Sequence, residues 1–105
     1  MKKKSEHLKS FHIAGFTYYD GAMVMEKLRI GKSLTLVLDP ENKFDARAVC
    51  IYRKGVKLGY VPRAENEFIY KLLKTNYQGL KCVVQGRDKS AHPEQQIYVA
   101  VSLNG

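Results

Sequence analysis

The sequence predicts a mainly β domain with a minor α part: a small OB-like or SH3-like β-barrel of five to six strands with one main helix. Three observations lead there. The chain has 105 residues, enough for one hydrophobic core and too few for two. Its apolar residues fall mostly in short alternating runs, broken by turn signals such as Asp20-Gly21, Asp39-Pro40 and Lys54-Gly55, which is the pattern of many short strands. Only the stretch from about Arg63 to Lys74 carries a clear apolar stripe at helical spacing. One amphipathic helix cannot cover both faces of a flat sheet, so the sheet is expected to curl into a barrel with the helix plugging one end.

Each element has a local reason. Residues 1–9 read as a basic flexible arm, and residues 10–105 as the single folded domain. The segment Lys9 to Tyr19 is rich in β-branched and aromatic residues (Phe11, Ile13, Phe16, Thr17, Tyr18, Tyr19) and reads as a strand, with Gly15 marking a bend. Ala22, Met25 and Leu28 recur every third residue, which allows one or two helical turns with Asp20 as the N-cap. Leu34, Leu36 and Leu38 alternate with Ser33, Thr35 and Val37, a strand pattern. Asp39 to Lys43 is a loop by its turn residues. Ala48 to Tyr52 and Val56 to Val61 are two strands joined by a two-residue hairpin at Lys54-Gly55. Pro62 suits the first turn of the helix, whose apolar stripe is Ala64, Phe68 and Leu72 with Ile69 and Leu73 beside them. Asn76 to Gly79 is a turn. Leu80 to Gly86 and Gln96 to Leu103 are further strands, and Ile97, Val99, Val101 and Leu103 share one face of the last.

Charge points to a polyanionic partner. Eighteen Lys and Arg stand against ten Asp and Glu, a formal net charge of +8. The arm contributes part of the excess, and the folded part keeps a clear positive balance. A small domain this basic attracts nucleic acid first, and membrane surfaces or acidic proteins after it. No apolar run approaches the roughly 18 residues of a bilayer span, and the basic N-terminus has no apolar stretch behind it to make a secretory signal. The reading is therefore cytoplasmic, and nucleoid-associated in a bacterium, with no membrane partner and a monomeric chain. Cys50 and Cys82 stand in apolar surroundings far apart in sequence, the pattern of two buried thiols, with a disulfide or a two-ligand metal site as the alternative.

Catalytic constellations are not evident. The sequence has no G-x-S-x-G, no Walker loop and no Cys-x-x-Cys, and His7, His12 and His92 lack metal-ligand spacing. Asp39, Glu41, Asn42 and Asp45 place oxygens somewhat as a calcium loop does. Phe44 stands where the sharp turn needs glycine, though, and no bidentate Glu closes the loop. The simpler reading is that Asp39 and Asn42 fold the loop through side-chain to backbone hydrogen bonds. No enzyme, metal or cofactor is expected. Binding features are more coherent. Tyr18 and Tyr19 are adjacent, so a regular strand would send one ring inward and one outward; an exposed ring can stack on an unpaired base. Arg63, at the helix start, can reach a phosphate.

The blocks G-x-x-Y-Y (Gly15 to Tyr19), D-P-x-N-x-[FY]-D-x-x-A (Asp39 to Ala48) and L-G-Y-[IV]-P (Leu58 to Pro62) occur in that order. Together they resemble the HIRAN domain over about residues 10–103. The resemblance implies a compact OB-like β-barrel with a helix. In eukaryotic relatives the domain is fused to a SNF2-type helicase and a RING ubiquitin ligase. There it captures the 3′-hydroxyl end of single-stranded DNA and helps to remodel stalled replication forks. The present sequence reads as a free-standing, bacterial member. By the same resemblance Tyr18 and Tyr19 contact terminal bases, and Asp45 accepts a hydrogen bond from the 3′-hydroxyl with Asn42 beside it. Arg63 contacts a backbone phosphate, and Tyr60 supplies a further polar ring. The chemistry is sound: a carboxylate welcomes a hydroxyl donor and repels a terminal phosphate. Thr17 stands where eukaryotic DNA-binding members carry arginine, which removes one phosphate contact; Lys43 and Lys57 are the cations that could replace it. The expected function is non-catalytic binding of single-stranded DNA by its 3′ end, in repair or fork processing. The alternative is an adaptor that docks on a separately encoded helicase or nuclease.

Overall fold

In the computed structural model, residues 5–16 and 19–104 are described. They form six strands and one α-helix. The strands are β1 (Ser5–His12), β2 (Ser33–Leu38), β3 (Val49–Arg53), β4 (Val56–Tyr60), β5 (Leu80–Arg87) and β6 (Ile97–Asn104), and the helix is α1 (Glu67–Lys74). All pairings are antiparallel, in the order β1-β6-β5-β2-β3-β4. The domain is thus mainly β, with six strands and one α-helix, as the periodicities predict.

The ladder does not run the whole way round. No strand pairing joins the outer strands β1 and β4 among the described residues. Instead Ala14, just past the end of β1, makes a single antiparallel bridge to Tyr60 at the end of β4. The Ala14 N–H donates to the Tyr60 carbonyl at 2.8 Å, and the Tyr60 N–H donates back at 2.9 Å. The sheet is an OB-like small β fold fastened at one point rather than a fully hydrogen-bonded barrel.

The hairpin at Lys54-Gly55 forms as the sequence dictates. Both residues have positive φ, 45° and 83°, as a two-residue type I′ turn needs. On β6 the expected face holds for Ile97, Val99 and Val101, which are buried, while Leu103 near the strand's end is only half-buried. Cys50 and Cys82 are buried free thiols; burial pushes the Cys82 thiol up to about 12 and raises Cys50 as well.

Four differences from the sequence reading have physical causes. First, β1 begins at Ser5, inside the segment read as an arm, because its polar residues Ser5, Glu6 and His7 pair with Asn104, Leu103 and Ser102 of β6; an edge strand tolerates charged and polar side chains. Second, the segment after Tyr19 is a 3₁₀ helix over Asp20–Lys27, with Tyr19 in the cap position and Asp20 its first residue, not its cap. Third, the helix read from Arg63 to Lys74 divides at Asn66 into a 3₁₀ turn, Arg63–Glu65, and α1. That break resets the helical phase: Ile69 is fully buried, whereas Phe68 is 50% exposed and Ala64 lies outside the core. Fourth, Pro93–Gln95 adds a short 3₁₀ turn in the polar loop before β6.

Candidate functional site

The loop between β2 and β3, the end of β4 and the start of the 3₁₀ turn at Arg63 converge on one cleft of about 220 Å³. Asn42, Phe44, Asp45, Tyr60 and Arg63 line it, over a floor that includes Ala14 and Val61. Four residues singled out from sequence, Asn42, Asp45, Tyr60 and Arg63, are therefore brought together. Tyr19 stands beside the cleft, its ring edge-on to Tyr60 with centroids 5.9 Å apart, and it is 37% exposed. Tyr18 and Thr17 lie outside the described residues.

Asn42 organises the loop. Its Oδ1 accepts from the Phe44 and Asp45 N–H groups, both at 2.9 Å. This is a local side-chain turn of the kind Asn favours. Asp39 does something else: its Oδ2 accepts from the Tyr60 hydroxyl at 2.6 Å and from the Asn42 amide at 3.3 Å. The expectation that Asp39 also folds the loop through backbone hydrogen bonds is corrected by this contact, made across 21 residues of sequence. The Tyr60 hydroxyl in turn accepts from Lys57 Nζ at 2.9 Å. Lys57 Nζ also lies over the Tyr19 and Tyr60 rings, 4.4 and 4.5 Å from their centroids, a cation–π arrangement. The Tyr60 hydroxyl is thus committed to the protein, and Tyr60 offers a ligand its ring. Burial, then the bond to Asp39, raises its pKa far above the ordinary tyrosine range; it stays a neutral donor.

The same hydrogen bond from Tyr60 holds the Asp39 carboxyl below its usual range, with Asn42 and the Lys57 charge adding to the effect against a smaller opposing burial. A carboxylate with a depressed folded-state value contributes stability that is present above about pH 4 and lost as pH falls through the folded value. Tyr60→Phe removes the main cause. It is expected to cost about 1 kcal/mol at pH 7 after solvent screening and to flatten the acid limb of a stability–pH profile. An acid limb as steep as the parent's would show that Asp39 draws its stabilisation elsewhere.

Asp45 forms part of the cleft wall, with 21% of its side chain exposed. Its Oδ1 accepts from the Arg47 N–H and its Oδ2 from the Asn66 amide, both at 2.9 Å. Arg63 Nε is 3.9 Å from Oδ2. An ionised carboxylate offers about four acceptor positions, so two hydrogen bonds fix this group and leave capacity for a ligand's donor. Arg63, with 74% of its side chain exposed, also donates to the Phe44 carbonyl. It stands ready for an anion rather than locked in a strong ion pair. Beside it Phe44 is 88% exposed, an open apolar ring at the cleft rim.

Sequence reading did not single out Phe44 or Asn66. Phe44 is the aromatic of the Asp39 to Ala48 block, so its place was marked but its exposure was not. Asn66 is 2% exposed and donates to both Asp45 and the Arg47 carbonyl, each at 2.9 Å; no sequence signal pairs it with a loop some twenty residues earlier. A larger hollow of about 350 Å³ lies elsewhere, among Leu34, Leu73, Asn76, Tyr77 and Cys82. No charged residue lines it, so it offers nothing to a polyanion.

Fold and cleft together define a small β binding domain: a rigid sheet edge presenting rings, a carboxylate and cations, with no His/Cys/Asp/Glu cluster fit to hold a metal among the described residues. The chain belongs to the HIRAN domain family, whose model matches residues 8–104. HIRAN is a nucleic-acid-binding module, a binding domain and not a catalytic one. A protein from Lactobacillus plantarum has a similar crystal structure, with a TM-score of 0.81 and 22% identity over 98% of each chain. The HIRAN domain of human HLTF is similar at a TM-score of 0.71 and 17% identity, over 96% of this chain and 79% of that one. At these identities the two structures speak for the fold. Comparison with curated protein sequences finds no significant match. No helix is long and apolar enough to cross a membrane among the described residues.

Proposed function

We propose that this domain binds single-stranded DNA by its free 3′-hydroxyl end, without catalysis, in DNA repair or replication-fork processing. The observation that carries the reading is Asp45: a carboxylate fixed by Arg47 and Asn66, with acceptor capacity left over, in a cleft that also presents the Phe44 and Tyr60 rings and the Arg63 cation. A terminal hydroxyl donates to it. A terminal phosphate is repelled by it. Tyr19, Tyr60 and Phe44 supply faces for terminal bases, and stacking is worth roughly 1–3 kcal/mol per base. Tyr18 belongs to the same proposed set through the family motif. Arg63 takes the phosphate next to the end. A helicase or nuclease is the protein partner that would present such ends.

The test is fluorescence anisotropy with one labelled strand carrying either a 3′-hydroxyl or a 3′-phosphate. The hydroxyl strand is expected to bind about tenfold tighter, and Asp45→Ala to abolish that preference. Arg63→Gln is expected to weaken both strands and to reduce the slope of log K against log salt by about 0.7, one phosphate contact on a single strand. Equal binding of the two ends by the parent protein would reduce the cleft to a generic basic surface. No binding at low salt would favour the adaptor that docks on a protein.

A further inference from the structure

We infer a second phosphate subsite at the far end of β4, so that a strand held by its 3′ end in the cleft runs along this edge toward the β3–β4 hairpin. The inference rests on the proposed end-binding function and adds a path and a polarity to it. A pocket of about 250 Å³ lies there, lined by Lys27, Arg53 and Lys54 with Val24 and Val56. Three cations and no carboxylate face it. None of the three takes part in an ion pair among the described residues. The nearest acid in sequence, Glu26, is already paired with Lys89. Arg53 is half-buried and donates one guanidinium N–H to the Ser33 carbonyl at 2.9 Å. That bond orients the group and leaves most of its five donors for a ligand. The hairpin turn, with positive φ at Lys54 and Gly55, holds Lys54 exposed at its tip.

Cleft and pocket are linked by two parallel rails. β4 runs from Val56 in the pocket to Tyr60 in the cleft, roughly 13 Å at about 3.3 Å per residue. The 3₁₀ helix packed against β4 runs from its cap Tyr19, beside Tyr60, to Lys27 in the pocket, roughly 16 Å at about 2 Å per residue. Lys57, on β4, holds its ammonium over both tyrosine rings at the cleft end. Rings and a cation at one end of these rails and a cationic pocket at the other offer faces to bases and charge to phosphates along a single strand. The spacing corresponds to a few nucleotides.

The experiment compares oligothymidylates of three and twelve nucleotides, both with a free 3′-hydroxyl, against the parent and Lys27→Gln/Lys54→Gln. Arg53 is left in place so that its bond to Ser33 survives. Lys71→Gln/Lys81→Gln, two exposed lysines on α1 and β5, removes the same charge elsewhere. The first pair is expected to weaken the twelve-mer about tenfold, to lower its salt slope by about 1.4, and to change the three-mer less than twofold. The control pair is expected to cost less than threefold. A twelve-mer weakened no more by the first pair than by the control overturns the subsite, while a retained preference for the 3′-hydroxyl leaves end capture standing. Failure of the parent to bind either length overturns both.

Discussion

Gly59→Ala is expected to destabilise the domain by about 3 kcal/mol or more, and to do so at the point where the sheet's outer edges meet. Gly59 has a φ of +150°, a region that side-chain-bearing residues rarely adopt. An added Cβ would lie 2.3 Å from the Ala14 carbonyl oxygen and 2.7 Å from Ile13 Cγ2. Neither neighbour can give way cheaply. The Ala14 oxygen is backbone and accepts from Tyr60 in the bridge that fastens β1 to β4; Ile13 is 1% exposed in the core. Strain at such a backbone position costs of order 1–3 kcal/mol, and the overlap adds to it. Urea denaturation should read the loss directly. A variant within 1 kcal/mol of the parent would show that the bridge is slack and that the edges part easily. The effect should reach the cleft too, since Tyr60 follows Gly59 and Ala14 forms part of the cleft floor.

Gly59 also marks what can be read from a sequence like this one. It sits in a motif, Leu58 to Pro62, that identifies the family. Yet the reason for the glycine is an approach by Ala14, forty-five residues earlier, and no local pattern contains that. Features fixed within a few residues were legible: the Lys54-Gly55 turn, the alternation on β6, the Asn42 turn that shapes the loop. Features fixed by distant partners were not. The start of β1 depends on pairing with β6 across the whole chain. The buried face of α1 depends on a break at Asn66 that shifts Ile69 inward and Phe68 outward. Asp39 read as a loop former because its neighbours Pro40 and Asn42 are turn residues, whereas its carboxylate is committed to Tyr60. The candidate site was legible as a set of residues because motif spacing carries them together. Its chemistry was not: Asp39 and Asp45 each accept two hydrogen bonds, and only the fold shows that Asp45 is the one that lines the cleft.

Asn66→Ala is expected to cost about 3 kcal/mol of stability and to blunt recognition of the 3′ end, although Asn66 is too deeply buried to touch a strand. It is the one fully buried polar side chain among the described residues, and its amide bridges the Asp45 carboxylate and the Arg47 carbonyl. Removing it leaves the part-buried Arg47 carbonyl without this partner, at about 1 kcal/mol or more, and breaks a hydrogen bond to a charged group, at about 1.5–3. The Arg47 N–H would then hold Asp45 alone, with Arg63 Nε still 3.9 Å away. A freed Asp45 can turn toward Arg63 and tighten the present loose 3.9 Å contact into a close ion pair. Preference for the 3′-hydroxyl over the 3′-phosphate should therefore fall about fivefold in Asn66→Ala at a temperature where the variant is folded. In an Asp45→Ala background the same change should have no effect on that preference, because the group it positions is gone. A double-mutant cycle separates the two roles. Coupling confined to stability would make Asn66 a strut between loop and helix. Coupling in end preference makes it the residue that aims the carboxylate, and it ties the break in the helix, which costs the fold a turn of regular structure, to the group that recognises the ligand.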